Sequence, residues 1–138
     1  MNVNLLAVSK GFGSEEIKTI HNEGQNDFGE SRFQEAIEKQ LLLNNFKNIK
    51  WHFIGRVQSN KIRKIVQNFE YIHSVDSYEK LCKISNISIE EKKNPIIMLQ
   101  VKFSDDPNKG GFNPTILIEK WDQIQKIKGI KIKGLMTI

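Results

Sequence analysis

Ile96-Ile97-Met98-Leu99-Gln100-Val101 is the stretch that decides the fold class of this chain. Five of these six residues are apolar, with no alternation between apolar and polar positions. Successive side chains of a strand point to opposite faces, so a strand with one wet face alternates. An unbroken apolar run reads instead as a strand buried on both faces of a parallel sheet. Parallel strands need long crossovers, usually helices, so helices are expected on both sides of the run. Upstream, Ser77 is placed to cap a helix that turns Leu81 and Ile84 inward. Downstream, Asn113-Pro114 opens a helix that sets Leu117, Trp121 and Ile124 on one face.

The same unit repeats toward both ends. Leu5 to Val8, Asp27 to Gly29, Trp51 to Gly55, Tyr71 to Ser74 and Ile130 to Ile138 read as further strands. Between them, Ser14 is expected to cap a helix carrying Glu15 and Glu16 in its first turn, with Gly24 as its stop. A second helix begins near Ser31 and carries Phe33, Ala36, Ile37 and Leu41 at helical spacing. A third bears the stripe Ile62, Ile65, Val66 and Phe69. Alternating β and α units imply a parallel sheet, either open and doubly wound or closed as a barrel. Lys10-Gly11-Phe12-Gly13-Ser14 has the first glycine pair of a dinucleotide-binding turn but lacks the third glycine. A (β/α)8 barrel typically needs about 250 residues, and here the pattern stops after six strands. The chain therefore reads as incomplete at its C-terminal end.

Composition narrows the setting. At 138 residues, 38% hydrophobic and 27% charged, the sequence suits one ordinary domain with its own core. No apolar run approaches the roughly 20 residues that span a bilayer, and Met1-Asn2-Val3-Asn4 does not open a signal peptide. The single cysteine, Cys82, sits among apolar residues (Leu81, Ile84) and reads as a small core hydrophobe. These features lead to the expectation of a cytoplasmic protein without a membrane partner. The net charge of +5 invites a nucleic-acid reading, but basic residues are dispersed among acidic ones. The densest basic stretch, Lys61-Ile62-Arg63-Lys64, fits the solvated face of a helix, so no nucleic-acid partner is expected.

Lys10 ends the first apolar run, Leu5-Leu6-Ala7-Val8-Ser9-Lys10. An amine at the end of a strand can hold a carbonyl compound as a Schiff base when its surroundings expose the free base. The competing view is one more solvated lysine in a basic protein.

Five ordered blocks bear on that choice: Ala7-Val8-Ser9-Lys10; Phe28-Gly29-Glu30-Ser31-Arg32-Phe33-Gln34-Glu35; Trp51-His52-Phe53-Ile54-Gly55-Arg56-Val57-Gln58-Ser59-Asn60-Lys61; Ile72-His73-Ser74-Val75-Asp76-Ser77; and Gly134-Leu135-Met136-Thr137-Ile138. Together they closely resemble the pyridoxal phosphate homeostasis proteins, single-domain relatives of the alanine racemase N-terminal barrel, over essentially the whole chain. The resemblance implies a fold type III α/β protein of the (β/α)8 TIM-barrel type. About six of the eight βα units would be present, in a single incomplete domain spanning residues 1–138. It also implies pyridoxal 5'-phosphate (PLP) as cofactor, held as a Schiff base on Lys10 at the C-terminal mouth of the strands.

The resemblance points to further cofactor-binding residues. Ser31 stands where family members usually have asparagine; it would lie near the cofactor ring, and the alternative is a simple helix cap. Met136 and Thr137 end the sixth strand beside the expected cofactor, with a purely structural Met136 as the competing view. His52 and His73 are expected to be hydrogen-bonded core histidines. Lys109 falls in a loop where the family also has a lysine, although an exposed loop lysine needs no function. The family continues into a Ser-rich turn and a Gly-x-Thr/Ser-x-Val-Arg-x-Gly segment, which supply the phosphate cradle and an arginine beside the pyridine nitrogen. Neither segment is in this sequence, nor is there room for the helix that usually precedes the first strand.

The function so implied is PLP homeostasis without a committed reaction and with no catalytic residues. PLP would be the ligand, apo forms of PLP-dependent enzymes the candidate recipients, and the protein a monomer. Two alternatives stand beside it: a racemase-like PLP enzyme, which needs an acid or base opposite Lys10, and a truncated product that binds PLP weakly. No metal site is expected.

Overall fold

The computed structural model describes residues 3–138. Strand and helix alternate as β1 (Ala7–Val8), α1 (Ser14–Asn22), β2 (Asp27–Glu30), α2 (Phe33–Leu42), β3 (Lys50–Phe53), α3 (Ile62–Asn68), β4 (Tyr71–Val75), α4 (Tyr78–Glu90), β5 (Ile96–Gln100), α5 (Pro114–Glu119), α6 (Trp121–Ile124) and β6 (Lys131–Met136). The six strands form one sheet in chain order, each parallel to its neighbour. An open doubly wound sheet reverses its strand order part-way. Strictly sequential order is the arrangement of a (β/α)8 barrel, so this sheet is an arc of such a barrel with β1 and β6 at its edges.

The core lies between the outer face of the arc and the helices. Phe28, Phe53, Ile72, Ile97 and Leu99 of the strands pack with Ile17, Ala36, Ile62, Ile65, Leu81 and Ile84 of the helices, all buried. Each of these side chains except that of Ala36 contributes roughly 1.5–3 kcal/mol relative to exposure. The register also corrects one expectation. In β5, Ile97 and Leu99 are fully buried, but Ile96 and Met98 on the opposite face are only half-buried. The inner face of the arc is less covered than the outer, and Val8 on β1 is 46% exposed for the same reason.

Several local expectations change as well. Ser14 is the first residue of α1 rather than its cap; Gly13 holds the cap position without a side-chain hydrogen bond. Ser31 does not cap α2 either. Strand β2 runs to Glu30, and Arg32, in extended conformation, occupies the cap position after the chain has turned. Leu41 faces outward at 67% exposure, beyond the stripe that α2 buries. The helix expected through Trp121 breaks at Lys120 into α5 and α6, leaving Trp121 39% exposed. Cys82 is half-buried instead of lodged in the core. By contrast, Ser77 caps α4 through the Lys80 amide at 3.3 Å, and Asn113 caps α5 through the Thr115 amide at 2.9 Å. Lys61, Arg63 and Lys64 are exposed, with Arg63 paired to Glu90 and Glu91. No helix among the described residues is long and apolar enough to cross a membrane.

Candidate functional site

Lys10 occupies the mouth of the arc at the C-terminal end of β1, exposed to solvent. Parallel pairing continues one residue past the strand, with the Ser9 amide donating to the Gly29 carbonyl at 3.0 Å. The chain then turns: the Phe12 amide donates to the Ser9 carbonyl at 3.1 Å. Lys10 takes the second position of this turn and Gly11 the third. The Gly11 φ of +81° is the left-handed value that the third position of a type II turn requires.

Beneath this turn lies a polar cluster that the sequence reading did not single out. Glu30 is fully buried, and its Oε1 accepts from the Ser9 hydroxyl at 2.6 Å and from Lys39 Nζ at 2.7 Å. Lys39, also buried, donates in addition to the Ser9 carbonyl at 2.8 Å and to Glu35 Oε1 at 2.6 Å. The Gly11 amide donates to the same Glu35 oxygen at 2.7 Å. The Lys39 ammonium and the Gly11 amide together hold the Glu35 carboxyl below its usual range. One signal for this cluster lies in the sequence: Glu35 and Lys39 form an i,i+4 pair in the favourable order, which marks a helix ion pair but not its burial.

On the other side of the mouth a cleft of about 450 Å³ is lined by Ile54, Arg56, Ser74, Asp76, Gln100, Lys109, Gly110 and Met136, among others. Its walls are braced: Ser74 donates its hydroxyl to the Gly55 carbonyl, Asp76 pairs with Lys80 at 2.8 Å, and the Gln100 amide donates to the Gly110 carbonyl at 2.7 Å. The last contact ties the loop of Lys109 back to β5. Met136 lies opposite Gln100 in register and is half-buried, while Thr137 beyond it is exposed. Ser31 is half-buried, and its carbonyl oxygen would lie 2.0 Å from a Cβ at Gly55, so no side chain fits there. The four expected cofactor residues thus fall on two sides of the arc: Lys10 and Ser31 follow the first two strands, while Met136 ends the last strand and Thr137 follows it.

His52 and His73 lie deeper and are engaged with each other. His52 Nδ1 is 2.9 Å from His73 Nε2, and His52 Nε2 is 3.0 Å from Asp27 Oδ1. The His52 ring stacks on Tyr71 with centroids 3.9 Å apart. Burial pushes the His52 pKa down against the opposing pull of Asp27. Burial, aided by the His52 charge, brings His73 to about 4. Both are hydrogen-bonded, as expected, but only His52 is buried; His73 is half-buried.

The sequence model of the alanine racemase N-terminal domain matches residues 2–138. The chain belongs to that family. It is similar to curated proteins named pyridoxal phosphate homeostasis protein, with 45% identity over 99% of the chain for the one from Synechocystis and 39% over 99% for the one from Schizosaccharomyces pombe. Among solved structures it resembles PipY of Synechococcus elongatus PCC7942. The form without PLP matches at TM-score 0.96 and 41% identity over 98% of this chain, and the form with PLP bound at 0.94 and 40% over 99%. Alanine racemase of Clostridium difficile shares the fold, with TM-score 0.75 at 17% identity over 99% of this chain and 36% of its own. The chain spans 63% of the Synechocystis protein and of PipY, and 58% of the Schizosaccharomyces pombe protein.

Proposed function

We propose that this chain, as one domain, holds pyridoxal phosphate reversibly through Lys10 and serves the homeostasis of that cofactor without a committed reaction of its own. The observation that carries the reading is the placement of Lys10. An exposed amine stands at the barrel mouth, on a turn whose flanking peptide groups are pinned from below. The likeness to PLP-bound PipY, 40% identical over 99% of this chain, supports the same ligand class.

The residues fit the aldehyde end of that ligand. Lys10 is exposed, and its amine would hold the ligand through the aldehyde. PLP would supply that aldehyde, a pyridine ring and a phosphate. Ser31 is short and half-buried beside the Gly55 approach and would border the ring, while Met136 offers apolar surface and Thr137 an exposed hydroxyl at the far edge strand. Arg56 and Lys109 place positive charge along the mouth cleft, where an anion gains from both.

Support for a holding role comes from where the acid–base side chains are spent. His52 bonds both His73 and Asp27, Tyr71 stacks on His52, and Tyr78 carries Lys120 Nζ over its ring at 4.6 Å. A racemase would need one such group poised opposite Lys10. The unpaired Cys82 accords with a reducing cytoplasm, where apo enzymes would be the recipients and the protein would act as a monomer.

The test is borohydride reduction in the presence of PLP, followed by peptide mass mapping. One pyridoxyl adduct on Lys10, lost in Lys10→Ala, is the expected result. Labelling spread evenly over surface lysines would overturn the reading. Rapid α-proton exchange on amino acids by the PLP-treated protein would replace it with the enzymatic alternative.

A further inference from the structure

We infer that Lys39, with Glu30 and Glu35, is a positioning device for Lys10: it fixes the two peptide groups that aim the Lys10 side chain. The inference rests on the reading of Lys10 as the attachment point.

Both peptide groups flanking Lys10 are held from the same side. The Ser9 carbonyl accepts from Lys39 Nζ at 2.8 Å, and the Gly11 amide donates to Glu35 Oε1 at 2.7 Å. One ammonium joins the two holds, because Lys39 donates to the Ser9 carbonyl, Glu30 and Glu35, and these three acceptors use all of its N–H groups. The Phe12 amide closes the turn onto the same Ser9 carbonyl, and the cluster adds the hold on the Gly11 amide, at the one residue of the turn with no Cβ to restrict it.

The ionic character of the cluster argues for this role over simple packing of α2 on β2. Glu30 Oε2 is buried without a hydrogen-bond partner, a cost that an apolar residue would avoid. Well-packed hydrophobic side chains often replace a buried ion pair without loss of stability. Hydrophobic side chains at these positions could not grip a carbonyl on one flank of Lys10 and an amide on the other. The polar cluster does both.

The experiment uses the full chain and three variants: Lys39→Met, Glu35→Ala and Glu35→Gln. Glu35→Ala removes the acceptor of the Gly11 amide at a partly exposed position, and Glu35→Gln restores an acceptor oxygen. Folding of each variant is checked by circular dichroism. If Lys39→Met does not fold, the Glu35 pair decides the question. Lys10 reactivity is read by site-resolved mass spectrometry in two arms, with the other lysines as internal references. One arm is PLP with borohydride; the other is trace acetic anhydride without any cofactor.

In folded Glu35→Ala, modification of Lys10 relative to the reference lysines is expected to change by about fivefold or more in both arms, the ratio that corresponds to one hydrogen bond of ordinary net strength. Glu35→Gln is expected to return it close to the parent value. A merely structural cluster would shift the unfolding midpoint and leave this ratio alone. Glu35→Ala within twofold of the parent overturns the inference. Failure of the parent to form a Lys10 adduct with PLP overturns the functional reading instead, and the acetylation arm still decides whether the cluster governs the amine.

Discussion

Glu30 and Lys39 meet behind β1 as a buried ion pair, with Nζ 2.7 Å from Oε1 and side chains 0% and 6% exposed. Removing one partner leaves the other charge uncompensated in the interior. Lys39→Met is therefore expected to lower the free energy of unfolding by roughly 3–5 kcal/mol. Replacing both, as Glu30→Leu with Lys39→Met, removes the stranded charge and should recover a large part of that loss. Urea unfolding of the single and double variants measures both, and a double variant as damaged as the sum of the singles would show the two charges to be uncoupled.

Glu35 gives the cluster a pH dependence. Its folded pKa lies below the ordinary 4.5 because of Lys39 first and the Gly11 amide second. A carboxylate depressed in this way contributes stability that is complete above the unfolded value and is lost as pH falls through the folded one. The unfolding midpoint in urea should fall between pH 5 and the acid limit in part through this group. Glu35→Gln should flatten that limb and leave the neutral-pH limb alone. An unchanged acid limb in the variant would contradict the assignment.

Gly55 marks a close approach of two backbones. A Cβ there would lie 2.0 Å from the Ser31 carbonyl oxygen and 2.7 Å from its carbon, and backbone cannot yield as a flexible side chain can. Gly55→Ala should cost about 1–3 kcal/mol or more and shift Ser31, so thermal melting should move down and the Ser31 amide resonance should move with it. Gly11→Ala should also destabilise, but for a different reason. Nothing lies within 4 Å of its added Cβ, and the cost comes from φ at +81°.

The division between what the sequence disclosed and what it hid follows a physical line. The alternation of strands and helices, the inward stripes of α3 and α4 and the caps at Ser77 and Asn113 are legible because they depend on periodicity and local hydrogen bonds; the strand order is not, because a doubly wound sheet and a barrel share that alternation, and only the family resemblance implies the sequential order that the sheet has. Lys10 was legible as the residue that ends the first apolar run. The Glu30–Lys39–Glu35 cluster was not, because Lys39 on a helix surface and Lys39 buried against β2 have the same local pattern; only the packing of α2 separates them. For Ser31, the alternative of a helix cap arises because strand ends and helix caps favour the same small polar residues; β2 extends to Glu30, and Arg32 takes the cap position instead. The half-exposed inner faces of β1 and β5 were missed for a related reason: an apolar run reports which residues want burial, not what is present to bury them.

The paired histidines make the last prediction. Burial and the neighbouring His52 charge hold His73 at about 4 in the folded protein, against an ordinary 6.5. The unfolded chain therefore binds more protons on this ring between those two values, and stability must fall as pH is lowered through that window. It is complete above about 6.5 and its loss is finished below about 4. With allowance for a ring that is only half-buried, the loss should amount to roughly 1–2 kcal/mol. His52, lowered by burial and partly restored by Asp27, adds to it in the same direction. Comparing urea midpoints at pH 7.5 and pH 5.5 reads this effect above the range where carboxylates titrate. His73→Gln, which has no proton to gain, should shrink the difference between the two midpoints while lowering both. In the parent, the His73 ring resonance should titrate near 4, and a midpoint close to 6.5 would mean that the ring is solvated rather than locked against His52.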